Sequence, residues 1–204
     1  MTRRLGFLGW FFAFALVALS VGAAERSGPS SSLAGQFLVA SPKMPDPRFA
    51  HTVVYMVSHD EDGAMGLIVN RSYGRGPLKS LLQGFGVEKA KAEETVVLHY
   101  GGPVEQIRGF VLHSADYRGP STQVVADDVA LSTGFDILKA LAAGGGPRQR
   151  LFLLGYAGWG PSQLEGEIAR NDWLTAPADD RLIFSDDSEQ RIWQEALKRA
   201  GTPL

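Results

Sequence analysis

The sequence contains no cysteine. Disulfides, thiolate-held zinc, iron–sulfur clusters and cysteine nucleophiles are thereby excluded. Histidine is scarce, with only His51, His59, His99 and His113. No two of them stand at a short ligand spacing, so no metal is expected; a centre would need several to converge with Asp60, Glu61 or Asp62. A surplus of positive charge is also missing. Arg3 and Arg4 are the only charged residues before position 25, which leaves 18 basic against 22 acidic residues in the remainder. Nucleic-acid binders usually carry the opposite balance, because basic side chains must displace counterions from phosphates. Direct nucleic-acid binding is therefore disfavoured. No G-x-S-x-G elbow is present, so Ser41, Ser58, Ser114 and Ser132 have no nucleophile context. The run Gly144-Gly145-Gly146-Pro147 precedes a strand-like segment and lacks Gly-Lys-Ser/Thr, so it is no phosphate loop.

What is present is ordinary globular material. Of 204 residues, 45% are hydrophobic and 21% charged, enough for one domain with its own core. Gly 24 and Pro 11 point to many tight turns. Residues 1–24 read as a leader: Arg3-Arg4, an apolar run over 5–21, then small residues through Ala24. A cleaved export signal, a retained membrane anchor and a mistaken start site all fit that pattern, and membrane contact is expected only through this segment. Residues 25–34 (ERSGPSSSLA) read as a polar linker, and 35–204 as the folded domain.

Along that domain the patterns favour strands at 36–40, 52–57, 64–70, 96–100, 108–113, 122–125, 129–132 and 150–156. The second and third form a hairpin across His59–Gly63, and the last is central. Helices are predicted after Pro77, over 135–143 with Phe135 on the apolar face, over 161–173 and over 189–200. Residues 182–185 read as extended. Asp186 and Asp187 read as capping the last helix. Helices punctuate the strands without alternating with them, which gives an α+β class with a mainly antiparallel sheet.

Four separated stretches carry a resemblance: GQFLVASPKMPDP from Gly35, FAHTVVYMVSHDEDGAMGLIVNR from Phe49, GGPVEQIRGFVLH from Gly101, and LGYAGWGPSQLEGEIARNDWL from Leu154. Together, in this order and spacing, they resemble the AlgH/YqgE-like family of bacterial proteins. The resemblance implies a compact single domain of coiled, partly barrel-like sheets with flanking helices. Members are called transcriptional regulators, after a link with alginate production. It supplies no catalytic residue and no cofactor. Three departures stand out. Ser72 takes the place of a common Pro, Ser162 that of a common Gly, and family members normally lack the leader. The leader points to export and the family to the cytoplasm.

Candidate site residues gather in two places. Gly101 and Gly102 permit close approach of backbone N–H groups to an anion, with Arg108 near in sequence; a tight strand connection explains the same glycines. Tyr156 and Trp159 are expected on a Gly-rich turn before a helix carrying Gln163 and Glu165, with Asn171 near its end and Asp172 on the Glu165 side. Asn70 and Arg71, at a strand end, are candidates to join them. An aromatic recess with carboxylates at a helix start is a ligand or partner site; a packed aromatic turn with solvated acids is the plain alternative. Two functions follow: a non-enzymatic, protein-binding regulatory module, or an enzyme of unknown class with a recess near Trp159, Arg108 and Asn70.

Overall fold

In the computed structural model, residues 32–88, 94–126 and 128–201 are described. The leader and most of the linker lie outside them. The hairpin forms as expected, from β2 (Val53–Asp60) and β3 (Gly63–Ile68), whose β-branched and apolar residues are buried except for the half-buried Met65. On the other side β2 pairs with β1 (Gln36–Ala40). β4 (Ser72–Pro77) pairs with β5 (Thr95–Tyr100) around α1 (Leu78–Gly84). Then follow β6 (Val104–Ser114), β7 (Thr122–Ala126), β8 (Val129–Ser132) and α2 (Phe135–Ala142). β9 (Arg150–Trp159), α3 (Gln163–Ala169), β10 (Trp173–Pro177), α4 (Asp180–Ile183) and α5 (Glu189–Arg199) complete the chain. The sheet runs β10-β1-β2-β3-β9-β6-β8-β7 and is antiparallel along that path, with β5 joined to β9 in parallel. It curls into a half-barrel, an α+β domain.

β9 is the spine. Phe152–Leu154 pair with β5, and Ala157–Trp159 pair with β3. The change of partner occurs at Gly155, whose φ is +72°. Gly101 stitches the junction, its N–H donating to the Leu154 carbonyl (2.8 Å) and its carbonyl accepting from Ile68 N–H (2.9 Å). A Cβ on Gly101 would lie 2.2 Å from the Gly155 oxygen, and one on Gly102 2.1 Å from the Tyr156 carbonyl carbon. Backbone approaches this close admit only glycine.

Three apolar clusters fill the fold. The concave face holds Phe37, Tyr55, Leu112 and Leu153 against Ile192, Trp193, Ala196 and Leu197 of α5. Burying each of the larger α5 side chains contributes roughly 1.5–3 kcal/mol. The opposite face over β6 and β9 is covered by Leu78 and Leu82 of α1 and Ile137, Leu138 and Leu141 of α2. The third cluster joins β1–β3 and β9 to Leu164 of α3 and to Trp173.

Several sequence expectations are corrected. The helix expected over 161–173 stops at Ala169, because Asn171 adopts the left-handed conformation (φ 59°). Asn171 N–H donates to the Ile168 carbonyl and Asp172 N–H to that of Glu167, the Schellman pattern that ends a helix. Trp173 therefore opens a strand, and Asp172 lies beyond the helix. Residues 180–183, partly read as extended, form a helical turn capped by Asp179. Ser188, not Asp186 or Asp187, caps α5. β4 was not expected, since glycine and proline mask a strand against which β5 pairs. Phe135 is 60% exposed; Ile137 takes its inward place on α2.

Candidate functional site

Trp159 lies in β9 and not on a turn, as does Tyr156, because the strand runs on to position 159. Its indole packs beside Trp173 (centroids 5.9 Å) and Phe49 (6.5 Å), and Phe49 meets Trp173 edge-on at 5.4 Å. Both indole N–H groups donate to one oxygen of Glu167, at 2.9 Å from Trp159 and 2.8 Å from Trp173. Gln163 donates to the other oxygen at 2.9 Å and accepts from the Gly160 N–H. A half-buried carboxylate holding three donors is a fastening, with charge-assisted bonds about twice as strong as neutral ones. Glu167 was missed from sequence. Its signal is its place in Gln163-x-x-x-Glu167, one turn apart on a helix that follows a Trp.

Glu165 points elsewhere. His59, its side chain 5% exposed, accepts from Leu33 N–H at Nδ1, so Nε2 carries the proton and donates to Glu165 (2.8 Å). Glu165 is held below the usual carboxylate range, first by a backbone hydrogen bond and then by His59. Asn70 is buried and fully engaged. Its carbonyl accepts from Val53 N–H (2.7 Å), and its amide donates to the carbonyls of His51 (2.9 Å) and Glu189 (3.0 Å). Arg71 donates to the carbonyls of Arg48 and Ala50. Tyr156 packs edge-on against Phe110. Asn171 ends α3. The structure thus brings Trp159 and Gln163 together through Glu167, while Asn70 and Arg108 lie on two other walls.

Ser132, read as an unremarkable strand residue, meets His113. The ring contacts the Ser114 carbonyl through Nδ1 (2.9 Å) and the Ser132 hydroxyl through Nε2 (2.9 Å), and that hydroxyl reaches Thr122 at 2.7 Å. Nδ1 therefore donates, and Nε2 accepts from Ser132. Both residues are fully buried, and Ser132 also lines a small cavity near the start of α2. Burial holds the His113 imidazole below its usual pKa, opposed by the Ser114 carbonyl and Asp116. Among the described residues, no group of three His, Asp or Glu side chains is gathered to hold a metal.

Two cavities matter. The larger, about 420 Å³, lies between β5 and the start of α5. Its charges are largely matched within the protein: Arg150 pairs with Glu94, Arg75 stands 3.8 Å from Asp186, and Glu189 accepts from the Ser72 N–H and hydroxyl. His99 lines it, held below its usual pKa mainly by burial. Its Nδ1 is sealed from solvent and meets no hydrogen-bond partner among the described residues. The smaller, about 140 Å³, opens between Phe85, just after α1, and the start of α2, lined among others by Leu98, Val111, Phe152, Phe135 and Arg108. Arg108 reaches outward, 3.0 Å from Glu105 and over the Phe110 ring.

The AlgH-like family model (DUF179) matches residues 37–204. A UPF0301 protein of Methylococcus capsulatus is 59% identical over 170 residues, covering 83% of this chain and 92% of that protein. A UPF0301 protein of Thioalkalivibrio sulfidiphilus is 47% identical, over 86% of this chain and 93% of its own. The solution structure of the AlgH protein of Pseudomonas aeruginosa superimposes with a TM-score of 0.71 at 42% identity, covering 85% of this chain and 91% of that one.

Proposed function

This chain belongs to the AlgH-like family, and on that premise we propose that it is a non-enzymatic regulatory module that acts by binding another protein. One observation carries the reading: a small apolar cavity opens at the surface beside Phe135, a large apolar side chain that is 60% exposed. Ile107, next in the chain to the lining residue Arg108, is 91% exposed. Exposed apolar surface that continues into an apolar cavity marks a contact surface more than a single scattered residue does. The polar candidates of the sequence support the same view. Asn70, Arg71, Gln163 and Glu165 are all held in bonds within the fold. The acidic balance beyond the leader favours protein contact over direct contact with a duplex.

The test is co-purification of the tagged full-length chain from its native cells, beside an Ile107→Asp/Phe135→Asp variant. Both positions are exposed, so the variant keeps its unfolding midpoint. The expected result is one protein recovered in fixed proportion with the wild type and depleted about tenfold with the variant, the loss typical of two disrupted anchors. Recovery of the same protein in equal amount with both chains, or of no protein in fixed proportion, sinks the reading.

A further inference from the structure

The sheet path ends at β10 on one side and at β7 on the other. A third cavity, of about 420 Å³, is lined from both of these ends. One side holds Ala126 of β7, Asp128 and Val129 of β8. The other holds Ala178, just past β10, then Asp179 and the α4 residues Asp180 and Ile183, with Arg199 from the end of α5. Gly35 lies against the β7 side, where a Cβ would stand 3.2 Å from that of Ala126.

The charge of this lining is unbalanced. Three carboxylates, Asp128, Asp179 and Asp180, face one guanidinium, Arg199. Arg199 is paired with Asp179, which also caps α4. Asp180 accepts the Arg181 N–H with one oxygen. Asp128 and Asp180 are thus left over, one on each side of the cavity. Carboxylates at a rim are, by themselves, ordinary solvated surface. Tyr55 sets this cavity apart. It lines the cavity from β2, and its backbone is paired on both sides, with Phe37 of β1 and Leu67 of β3, so the side chain supplies the lining. That side chain is fully buried, and its hydroxyl meets no hydrogen-bond partner among the described residues. Buried hydroxyls are almost always hydrogen-bonded. Burial also pushes this hydroxyl above its ordinary pKa, so it stays un-ionised and adds no charge.

We propose that this cavity binds an aliphatic diamine. One ammonium meets Asp128 and the other Asp180, while the methylene stem lies along Ala126, Val129, Ala178 and Ile183. Each ammonium carries three donors, so one N–H remains for the Tyr55 oxygen. Two positive charges match the two unpaired carboxylates, whereas a single ammonium leaves one of them unmatched. A metal ion fits less well, because it needs its acids gathered, and no three His, Asp or Glu side chains are gathered among the described residues. The volume lies within the roughly 300–1,000 Å³ of small-molecule pockets. The site shares no lining residue with the cavity beside Phe135, so it goes beyond the protein-binding reading and the two stand or fall separately.

The experiment follows backbone amide resonances of the full chain, in dilute buffer, during titration with 1,4-diaminobutane, butylamine and magnesium chloride. The diamine is expected to shift Gly35, Val129, Ala178 and Ile183 saturably, with a dissociation constant on the order of millimolar. Butylamine is expected to bind about fivefold more weakly, the factor for one exposed charge contact. Asp128→Asn, at an exposed position, should bring the diamine down to the level of butylamine. Tyr55→Phe keeps the ring and removes the hydroxyl, and should weaken the diamine about fivefold without lowering the unfolding midpoint. Should that variant fail to fold, Asp128→Asn decides alone. Equal binding of diamine and butylamine would overturn the proposal by marking a single-ammonium site, such as a seat for a lysine side chain. It would equally be overturned by magnesium shifting the same amides to the same extent, by shifts confined to another surface, or by either variant binding the diamine like the wild type.

Discussion

Two aromatic regions of this protein differ in how they treat their edges. Around Trp159, Trp173 and Phe49 both indole N–H groups are answered by one carboxylate, and the rings are packed. Around Phe135 the apolar surface meets water beside a small cavity, and the guanidinium of Arg108 on that cavity is paired with an exposed glutamate. The first region carries the more distinctive sequence. The second carries the surface with unspent binding capacity. A sequence signature rich in Trp, Gly and Glu can therefore encode a fastening, while the contact surface is written in unremarkable residues.

The comparison breaks first at the β9 junction, on which the Trp159 fastening rests. Gly102 has φ +150° and no room for a Cβ. Gly102→Ala is expected to cost more than about 3 kcal/mol, since it adds backbone strain to a clash that neither strand can relieve. The measure is the urea midpoint, or loss of soluble protein. A midpoint within error of the wild type would mean that the crossing is loose. Next in size is Glu167→Ala. It leaves two indole donors without their acceptor, at an expected cost of about 2–4 kcal/mol, and Glu167→Gln should recover about half through its remaining carbonyl. Tryptophan fluorescence during denaturation reads both. If Glu167→Ala unfolds like the wild type, the carboxylate is not what holds the rings.

Much of the fold was legible because period and turn chemistry are local. The hairpin of β2 and β3 follows from TVVYMV and AMGLIVN around an acidic glycine turn, and the apolar run of β9 announced a central strand. β4 was hidden, because Gly74, Gly76 and Pro77 read as breakers, and its pairing with β5 is a tertiary fact. β10 was hidden behind Asn171, which ends α3 two residues before the strand. Of the candidate site, the aromatic content near Trp159 was visible and its closure was not, because Glu167 ties Trp159 of β9 to Trp173 of β10 and no local spacing announces that pairing. Phe135 followed the apolar stripe of α2 by spacing, yet Ile137 claimed the interior. One departure from the family becomes intelligible in space. Ser72 N–H donates to Glu189 (2.8 Å), a bond that proline would remove.

The buried His113 gives a pH test of the interior against the surface. Its imidazole is held below the ordinary value of 6.5. As the pH falls, the unfolded chain takes up that proton first, so the contribution is complete above 6.5 and is lost as the pH falls through the folded value. His99 acts in the same direction. The urea midpoint should therefore fall between about pH 7 and pH 5, the span around the unperturbed histidine value, and His113→Gln should flatten part of that fall. An unchanged slope would remove His113 as its source. A smaller effect has the opposite sign. Ser162 occupies the left-handed region at φ 60° without a capping bond. Ser162→Gly should raise stability by about 0.5–1 kcal/mol, and a lower midpoint would show that the serine is held by a contact worth more than the strain.

The smallest expected change in stability is also the one that decides what the second region is for. Ile107→Ser and Phe135→Ser remove apolar area that the folded chain already leaves in water. Each should move the unfolding free energy by no more than about 0.5 kcal/mol. A residue kept for packing cannot be removed at that cost, since burying a side chain of this size contributes roughly 1.5–3 kcal/mol. Near-neutral midpoints for both, measured beside the large loss for Glu167→Ala, would separate a surface held open for a partner from a core that needs no partner at all. A loss above about 1.5 kcal/mol at either position would place that side chain in the core and close the difference between the two regions.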